Sequence, residues 1–177
     1  MNTEHKSNTP AVIKDLWQTP EFAFNHYNKR FNFNIDMAAS QGNAKCDVFI
    51  TESSDALLHD TFADTLFSNF GEHDPVSVWC NPPYSNIMPW VAMMVEYAES
   101  YNVKIVTLLP ADTSVQWFKY AFDHCSEFHM ISGRLSFINA ETQKPVAGNN
   151  KGSVVFIFDP RSPVKQSTHL INRDDMK

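Results

Sequence analysis

The sequence predicts an α/β fold with a mainly parallel sheet, an antiparallel edge and helices between the strands. Three observations carry that reading. Apolar residues alternate between strand-like and helix-like spacing along most of the chain. Residues 103–109 form an apolar run of the kind shown by a strand buried on both faces. Three late strand-like segments, 128–131, 135–138 and 153–158, succeed one another without a helix between them.

Taken in order, residues 20–31 read as an aromatic-rich helix carrying Phe22, Phe24, Tyr27 and Phe31. Thr19 suits its N-cap, Pro20 its first turn and Glu21 the positive end of its dipole. Residues 33–39 and 46–51 read as short strands. A third strand, 76–80, is stopped by Pro82-Pro83, because proline cannot donate to a ladder. Residues 89–101 form a helix with Trp90, Val91, Met94 and Ala98 along one face, and 114–124 form another after the buried strand. The expected organisation is a flexible, polar N-terminus over 1–14, a single domain over 15–160 and a polar tail over 161–177.

Composition narrows the class. A length of 177 residues, at about 150 per domain, allows one domain. With 43% hydrophobic and 19% charged residues, the chain is expected to be globular rather than disordered. Its apolar runs are too short to cross a bilayer, so no membrane association is expected. The polar start lacks the hydrophobic core of a secretion signal. Cys46, Cys80 and Cys125 lie far apart with no CxxC, which argues against a disulfide or zinc framework and for a reducing, cytoplasmic location. The seven histidines show no HExxH, and His124-Cys125 with His129 is too loosely spaced for a ligand set. No metal is expected.

Net charge is −6, which disfavours gripping a polyanion through charge alone. The distribution is uneven, however. Between Lys45 and Lys104 there is no Lys or Arg, whereas Arg134, Lys144, Lys151, Arg161, Lys165 and Arg173 gather late in the chain. Arg134, Lys144 and Lys151, with Asn149 in the polar loop Ala147-Gly148-Asn149-Asn150, form the candidate docking surface for any polyanion.

Open α/β sheets bind ligands beyond the carboxyl ends of their strands. The unusual residues there are Asp36, Glu52, Asn81-Pro82-Pro83-Tyr84 and Pro110-Ala111-Asp112. The tetrad suits a specific chemistry. An amino group conjugated to an aromatic ring is a poor nucleophile because its lone pair is delocalised. Two acceptors aimed at its hydrogens draw the nitrogen toward a tetrahedral, nucleophilic shape. The Asn81 side-chain oxygen and the Pro82 carbonyl offer two such acceptors, and neither Pro82 nor Pro83 has an N–H to compete. Tyr84 adds a flat face for a purine. This is positioning and electrostatics rather than acid–base catalysis. The bland alternative is a proline-rich turn after a strand.

Over about residues 15–158 the chain resembles the phage-type DNA adenine-N-6 methyltransferases of the Dam group. The likeness rests on Trp17-Gln18-Thr19-Pro20, on Asp36 with Ala39, and on Asn43-Ala44-Lys45-Cys46. It extends through Thr51-Glu52 with Asp55, Val78-Trp79-Cys80-Asn81-Pro82-Pro83-Tyr84-Ser85, Leu109-Pro110-Ala111-Asp112 with Trp117-Phe118, and Gly133-Arg134-Leu135-Ser136-Phe137. The resemblance implies a Rossmann-like fold dependent on S-adenosylmethionine, with helices on both faces. It implies double-stranded DNA as partner, in a bacterial host cell, with the gene carried by a phage or prophage. Thr19 and Pro20 would then meet the methionine carboxylate of S-adenosylmethionine at a helix N-terminus, with Trp17 and Ala38 also among the cofactor-binding residues and double-stranded DNA carried on the basic surface of Arg134, Lys144, Asn149 and Lys151. Asp36 would pair with the α-amino group, Glu52 with the ribose hydroxyls, and Asp55 or Asp60 with the cofactor's adenine. Ala38-Ala39-Ser40 replace the usual Gly-x-Gly, and small residues there still allow close approach.

On this reading Asn81, Pro82, Pro83 and Tyr84 are catalytic, and the target adenine must leave the helix to reach them. Trp90, Trp117 and Phe118 either shape its pocket or belong to the core. Two other functions stay open. The same tetrad resembles enzymes that methylate protein glutamine or ribosomal RNA, and the chain could also be a catalytically silent binder of nucleotide or nucleic acid. Both monomer and weak dimer are compatible with the sequence.

Overall fold

The computed structural model describes Asp15 and residues 17–140, 142–146 and 151–177. The N-terminus over 1–14 and Asn149 lie outside the described residues. The main sheet has seven strands: β2 (Ile35–Ala39), β3 (Val48–Thr51), β4 (Ser77–Cys80), β5 (Lys104–Pro110), β6 (Glu127–Ser132), β8 (Ser153–Phe158) and β9 (Ser167–Asn172). Their order is β3-β2-β4-β5-β8-β6-β9. The pairings β2–β3, β2–β4, β4–β5 and β6–β9 are parallel, and β8 enters antiparallel between β5 and β6. A separate antiparallel pair joins β1 (Trp17–Gln18) to β7 (Ile138–Asn139).

Helices cover both faces, as expected. Helix α1 (Glu21–Phe31) packs Ala23, Phe24, Tyr27 and Phe31 with Trp79, Val106, Leu108, Val155 and Ile157. On the opposite face, α2 (His59–Asn69), α3 (Ile87–Tyr101) and α4 (Gln116–His124) cover Val78, Ile105, Leu109 and Phe156. Successive strand residues therefore feed two apolar clusters, as the two-residue period of a strand demands. Helices α1 and α3 both end on an asparagine in the left-handed region, Asn32 (φ 50°) and Asn102 (φ 52°). Asparagine is among the few residues that accept that conformation at modest cost.

Four sequence expectations need correction. Thr19 does not cap α1: Pro20 takes that position, its carbonyl accepting from the Ala23 and Phe24 N–H groups, and Thr19 is buried instead. Residues 52–75 suggested no element, yet α2 lies there. Its apolar signal is little more than Phe62 and Leu66 one turn apart, and packing sustains it, with the Phe62 ring stacked 4.4 Å from Tyr97. The strand expected over 135–138 shrinks to β7, because Leu135 and Phe137 are drawn into the α1-side cluster. The expected polar tail is partly ordered structure. Strand β9 runs parallel to β6 from Glu127↔Ser167 to Ser132↔Asn172. A 3-10 turn, Arg173–Met176, then buries Met176 in the cluster beside α1.

Candidate functional site

The site lies where β2, β4 and β5 deliver their carboxyl ends. Strand β4 is buried along its whole length, and the two prolines end it, leaving Asn81 half-buried at the sheet's rim. The Asn81 amide is held at both ends. The Tyr84 hydroxyl donates to Asn81 Oδ1 at 2.9 Å, and Asn81 Nδ2 donates to the Trp17 main-chain carbonyl at 3.4 Å. The Leu108 carbonyl lies 3.3 Å from the same hydroxyl. Burial pushes the Tyr84 phenol well above its ordinary pKa, so it stays a donor at any physiological pH. Its ring meets Phe137 edge-on at 6.1 Å.

A cavity of about 40 Å³ lies on one side of Asn81 and includes Trp17, Thr19, Asp36, Ala38 and Lys45 in its wall. Asp36 sits on β2 beside Trp79 and is 3% exposed. Its oxygens accept the backbone N–H groups of Lys45 at 3.0 Å and Ala38 at 3.4 Å. Burial raises its carboxyl to about 6, against the opposing pull of those N–H groups. A carboxylate this buried, with only main-chain donors, is suited to a cation arriving from outside the protein. Among the described residues the Trp17 indole N–H is also buried without a hydrogen-bond partner. Leaving such a donor unmet costs about 1–3 kcal/mol, which an acceptor on a bound molecule recovers.

Beyond the tetrad lies a larger cleft of about 200 Å³, walled by Trp17, Tyr84, Val115, Trp117 and Phe137. Trp17 and Phe137 stack at 6.1 Å, a contact that follows from the β1–β7 pairing. At the polar end of the cleft, Lys151 Nζ donates to Asp112 Oδ2 at 2.6 Å, and the Ser114 hydroxyl to Oδ1 at 2.6 Å. Lys151 foremost, then Ser114, holds the Asp112 carboxyl down at about 2. Trp17 is common to both cavities, with Asn81 facing the smaller and Tyr84 the larger.

The structure thus gathers Trp17, Thr19, Asp36, Ala38, Asn81 and Tyr84 around two adjoining cavities. Pro20 is buried at the start of α1. Glu52, Asp55 and Asp60 are exposed beyond β3 and line neither cavity. Asp55 has φ 58° and accepts the Leu57 N–H at 3.0 Å, the work of a turn residue. Lys151 reaches the cleft, whereas Arg134 and Lys144 are exposed on the segment that carries β7. Phe118 is core, Trp90 packs against the core, and Trp117 lines the cleft. Sequence reasoning gave no role to Phe137 or Lys45 and only a strand-end position to Asp112. The motif containing Phe137 was visible, but an aromatic in an expected strand reads as core.

One cluster outside the site has ligand-like composition: Glu127, His129 and His169, whose donor atoms all lie within 4.8 Å of one another. Those atoms are already engaged. Arg30 grips both Glu127 oxygens at 2.6 and 2.8 Å, His129 contacts Tyr27 and Glu127, and His169 contacts Ser167. Hydrogen bonds join α1 to β6 here, and the His129 and His169 rings meet edge-on at 5.0 Å between β6 and β9.

A family model described as DNA N-6-adenine-methyltransferase (Dam) matches residues 6–177, a span that takes in β9 and the last turn. The DNA N-6-adenine-methyltransferase of Escherichia phage T1 is 35% identical over 182 residues, covering 93% of this chain and 71% of the relative. The DNA N-6-adenine-methyltransferase of Haemophilus phage HP1 is 34% identical over 161 residues, covering 89% of this chain and 86% of the relative. Among solved structures, the ATP-dependent Type ISP restriction-modification enzyme LlaBIII bound to DNA aligns at 13% identity with a TM-score of 0.33. That alignment spans 71% of this chain and 12% of the other.

Proposed function

On the premise that the chain belongs to the DNA N-6-adenine-methyltransferase (Dam) family, we propose that it moves a methyl group from S-adenosylmethionine to the exocyclic nitrogen of an adenine flipped out of double-stranded DNA. The observation that carries this reading is the pair of cavities meeting at the tetrad, one polar and one apolar, with Asn81 and Tyr84 between them.

The smaller cavity suits the methionine end of the cofactor. Asp36 offers a buried carboxylate to the α-ammonium, while the unmet Trp17 indole N–H, Thr19 and the first turn of α1 face the needs of a carboxylate. When bound, S-adenosylmethionine supplies an electrophilic methyl group on a sulfonium. Ala38, in the wall of this cavity, is small enough to allow close approach. Glu52 stands on the loop after β3, at the sheet end where a ribose is held in related folds. Asp55, committed to its own turn, is less suited to the adenine than to shaping that loop.

The larger cleft suits the target base. Tyr84, Trp117 and Phe137 offer aromatic surface, and Asn81 Oδ1 retains a second lone-pair direction for the amine. Accepting that hydrogen localises the nitrogen lone pair, which is what the transfer requires. As the nitrogen–methyl bond forms, the methyl–sulfur bond would break with its electron pair left on sulfur as a neutral thioether, and the surplus proton would pass from the nitrogen to solvent water. Arg134, Lys144, Asn149 and Lys151 are the groups we assign to backbone phosphates, and Lys151 can exchange Asp112 for a phosphate at the cleft. We place this activity in the cytoplasm of a bacterial host, from a phage or prophage gene, a reading supported by relatives from phages of Escherichia and Haemophilus.

Incubating the purified chain with S-adenosylmethionine and unmethylated plasmid, then digesting to nucleosides for mass spectrometry, tests the reading. N6-methyldeoxyadenosine is the expected product. Methylcytosine, or methylation confined to RNA or to protein glutamine in parallel reactions, would overturn it.

A further inference from the structure

The Asn81 amide is more constrained than acceptance of an amine hydrogen requires. Its oxygen takes the Tyr84 hydroxyl at 2.9 Å and its nitrogen gives to the Trp17 carbonyl at 3.4 Å. We infer that the Tyr84 hydroxyl and the Trp17 main-chain carbonyl form a clamp that fixes which way the Asn81 amide faces, making both positioning residues for methyl transfer. The inference rests on the reading of Asn81 as the acceptor of the target amine.

The two contacts work together because only one orientation satisfies both. Turning the amide over would bring Oδ1 against the Trp17 carbonyl, two acceptors face to face. It would also present Nδ2 to a hydroxyl whose proton would then go to the Leu108 carbonyl, 3.3 Å away. An Asn side chain otherwise flips at small cost, and a flipped amide would offer hydrogens to an amine that needs an acceptor. Orientation is thus a precondition of the chemistry, and two groups in the structure impose it. The hydroxyl occupies one of the two acceptor directions of Oδ1 and leaves the other free.

The carbonyl half of the clamp is itself held from far along the chain. Trp17 pairs with Asn139 and Gln18 with Ile138, and the Trp17 ring stacks on Phe137. The same side of the clamp distinguishes an amide from a carboxylate at position 81. A carboxylate there would put an anionic oxygen where Nδ2 now donates, facing the Trp17 carbonyl. Protonated, the carboxyl would have an O–H in that place and the contact would be restored.

Two variants and one spectrum test the clamp. Tyr84→Phe keeps the ring and removes the hydroxyl. Its kcat is expected to fall about five- to tenfold, the rate equivalent of one typical hydrogen bond, while the KM values for DNA and S-adenosylmethionine stay within about twofold. For Asn81→Asp, the ratio of its kcat to that of the parent chain is expected to rise as pH falls from about 8 to about 5.5, as the carboxyl takes up its proton. In the ligand-free, 15N-labelled chain, the Asn81 side-chain amide signals, identified by their loss in Asn81→Asp, are expected to move in Tyr84→Phe. Amide signals that stay in place, an unchanged kcat in Tyr84→Phe, or a pH-independent Asn81→Asp ratio would each overturn the clamp. If the parent chain methylated no adenine, the proposed function would fall, and the amide signals would still decide whether the clamp exists.

Discussion

The two cavities that flank Asn81 are built on opposite principles. The smaller holds a buried carboxylate that accepts two main-chain N–H groups. The larger is several times roomier and lined largely by aromatic rings, with the Lys151–Asp112 ion pair at one end. On the proposed function, selectivity on the first side would come from matching charge, because an unpaired buried charge is costly. On the second side it would come from shape and flat apolar surface, which every purine presents. A methyl transferase needs this asymmetry: one partner is the same small molecule each time, and the other is a base arriving on a long polymer.

The comparison can be broken at its boundary first. Asn81→Ala removes the acceptor shared by neither cavity alone, and a rate loss of about 10² or more is expected with cofactor affinity kept. Single-turnover kinetics beside calorimetry separate the two. Next comes the polar side. Asp36→Ala is expected to weaken S-adenosylmethionine binding about tenfold or more, and Thr19→Val to a smaller extent, with DNA affinity intact. The parent chain should bind the cofactor more weakly as pH falls through about 6, where Asp36 loses its charge. That dependence should vanish in Asp36→Ala. The fold itself responds in the opposite sense. Because the folded carboxyl titrates above the ordinary value near 3.9, this group favours the folded chain more as pH drops through about 6. Thermal melts of the cofactor-free chain across that range check the sign.

On the apolar side, Trp117→Ala is expected to raise the KM for DNA about tenfold, a modest stacking energy, without altering cofactor affinity. Equal losses for both ligands would mean the cavities are not the separate compartments described above. The smallest effect is expected at the cleft's polar end. Lys151→Met should lower the slope of log affinity for DNA against log salt by about 1, uniformly across sequences. It should also release the Asp112 carboxyl from its low value of about 2 toward the ordinary range.

The polar side was far more legible in the sequence than the apolar one. The tetrad stands directly after a strand whose burial is written in its composition, Asp36 stands within another such strand, and Pro20 opens a helix. Their neighbourhood is local in topology, since β2 and β4 are adjacent. The cleft is assembled from distant segments: Trp17 from the start, Trp117 from α4, Phe137 and Lys151 from the late part. Nothing near Trp17 announces a two-residue pairing with Ile138–Asn139. Helix α2 was hidden because most of its surface is polar. Strand β9 was hidden because an edge strand with exposed Thr168 and Leu170 has no apolar alternation to show, and backbone bonds alone define it.

Burial of Met176 beside α1 has a consequence for how the molecule is made. Helix α1 leaves the ribosome well before β8 and the Arg173–Met176 turn, yet part of the cluster that covers it comes from them. On the order of 150 residues must be synthesised before that contact can close, so the apolar stripe of Phe24, Tyr27 and Phe31 waits uncovered during translation. The cavity that begins at Thr19 is therefore a late product of assembly. Cofactor binding should appear only after the strands on the far side of the sheet have been laid down, and a nascent chain stalled before β8 should be held by chaperones rather than charged with ligand.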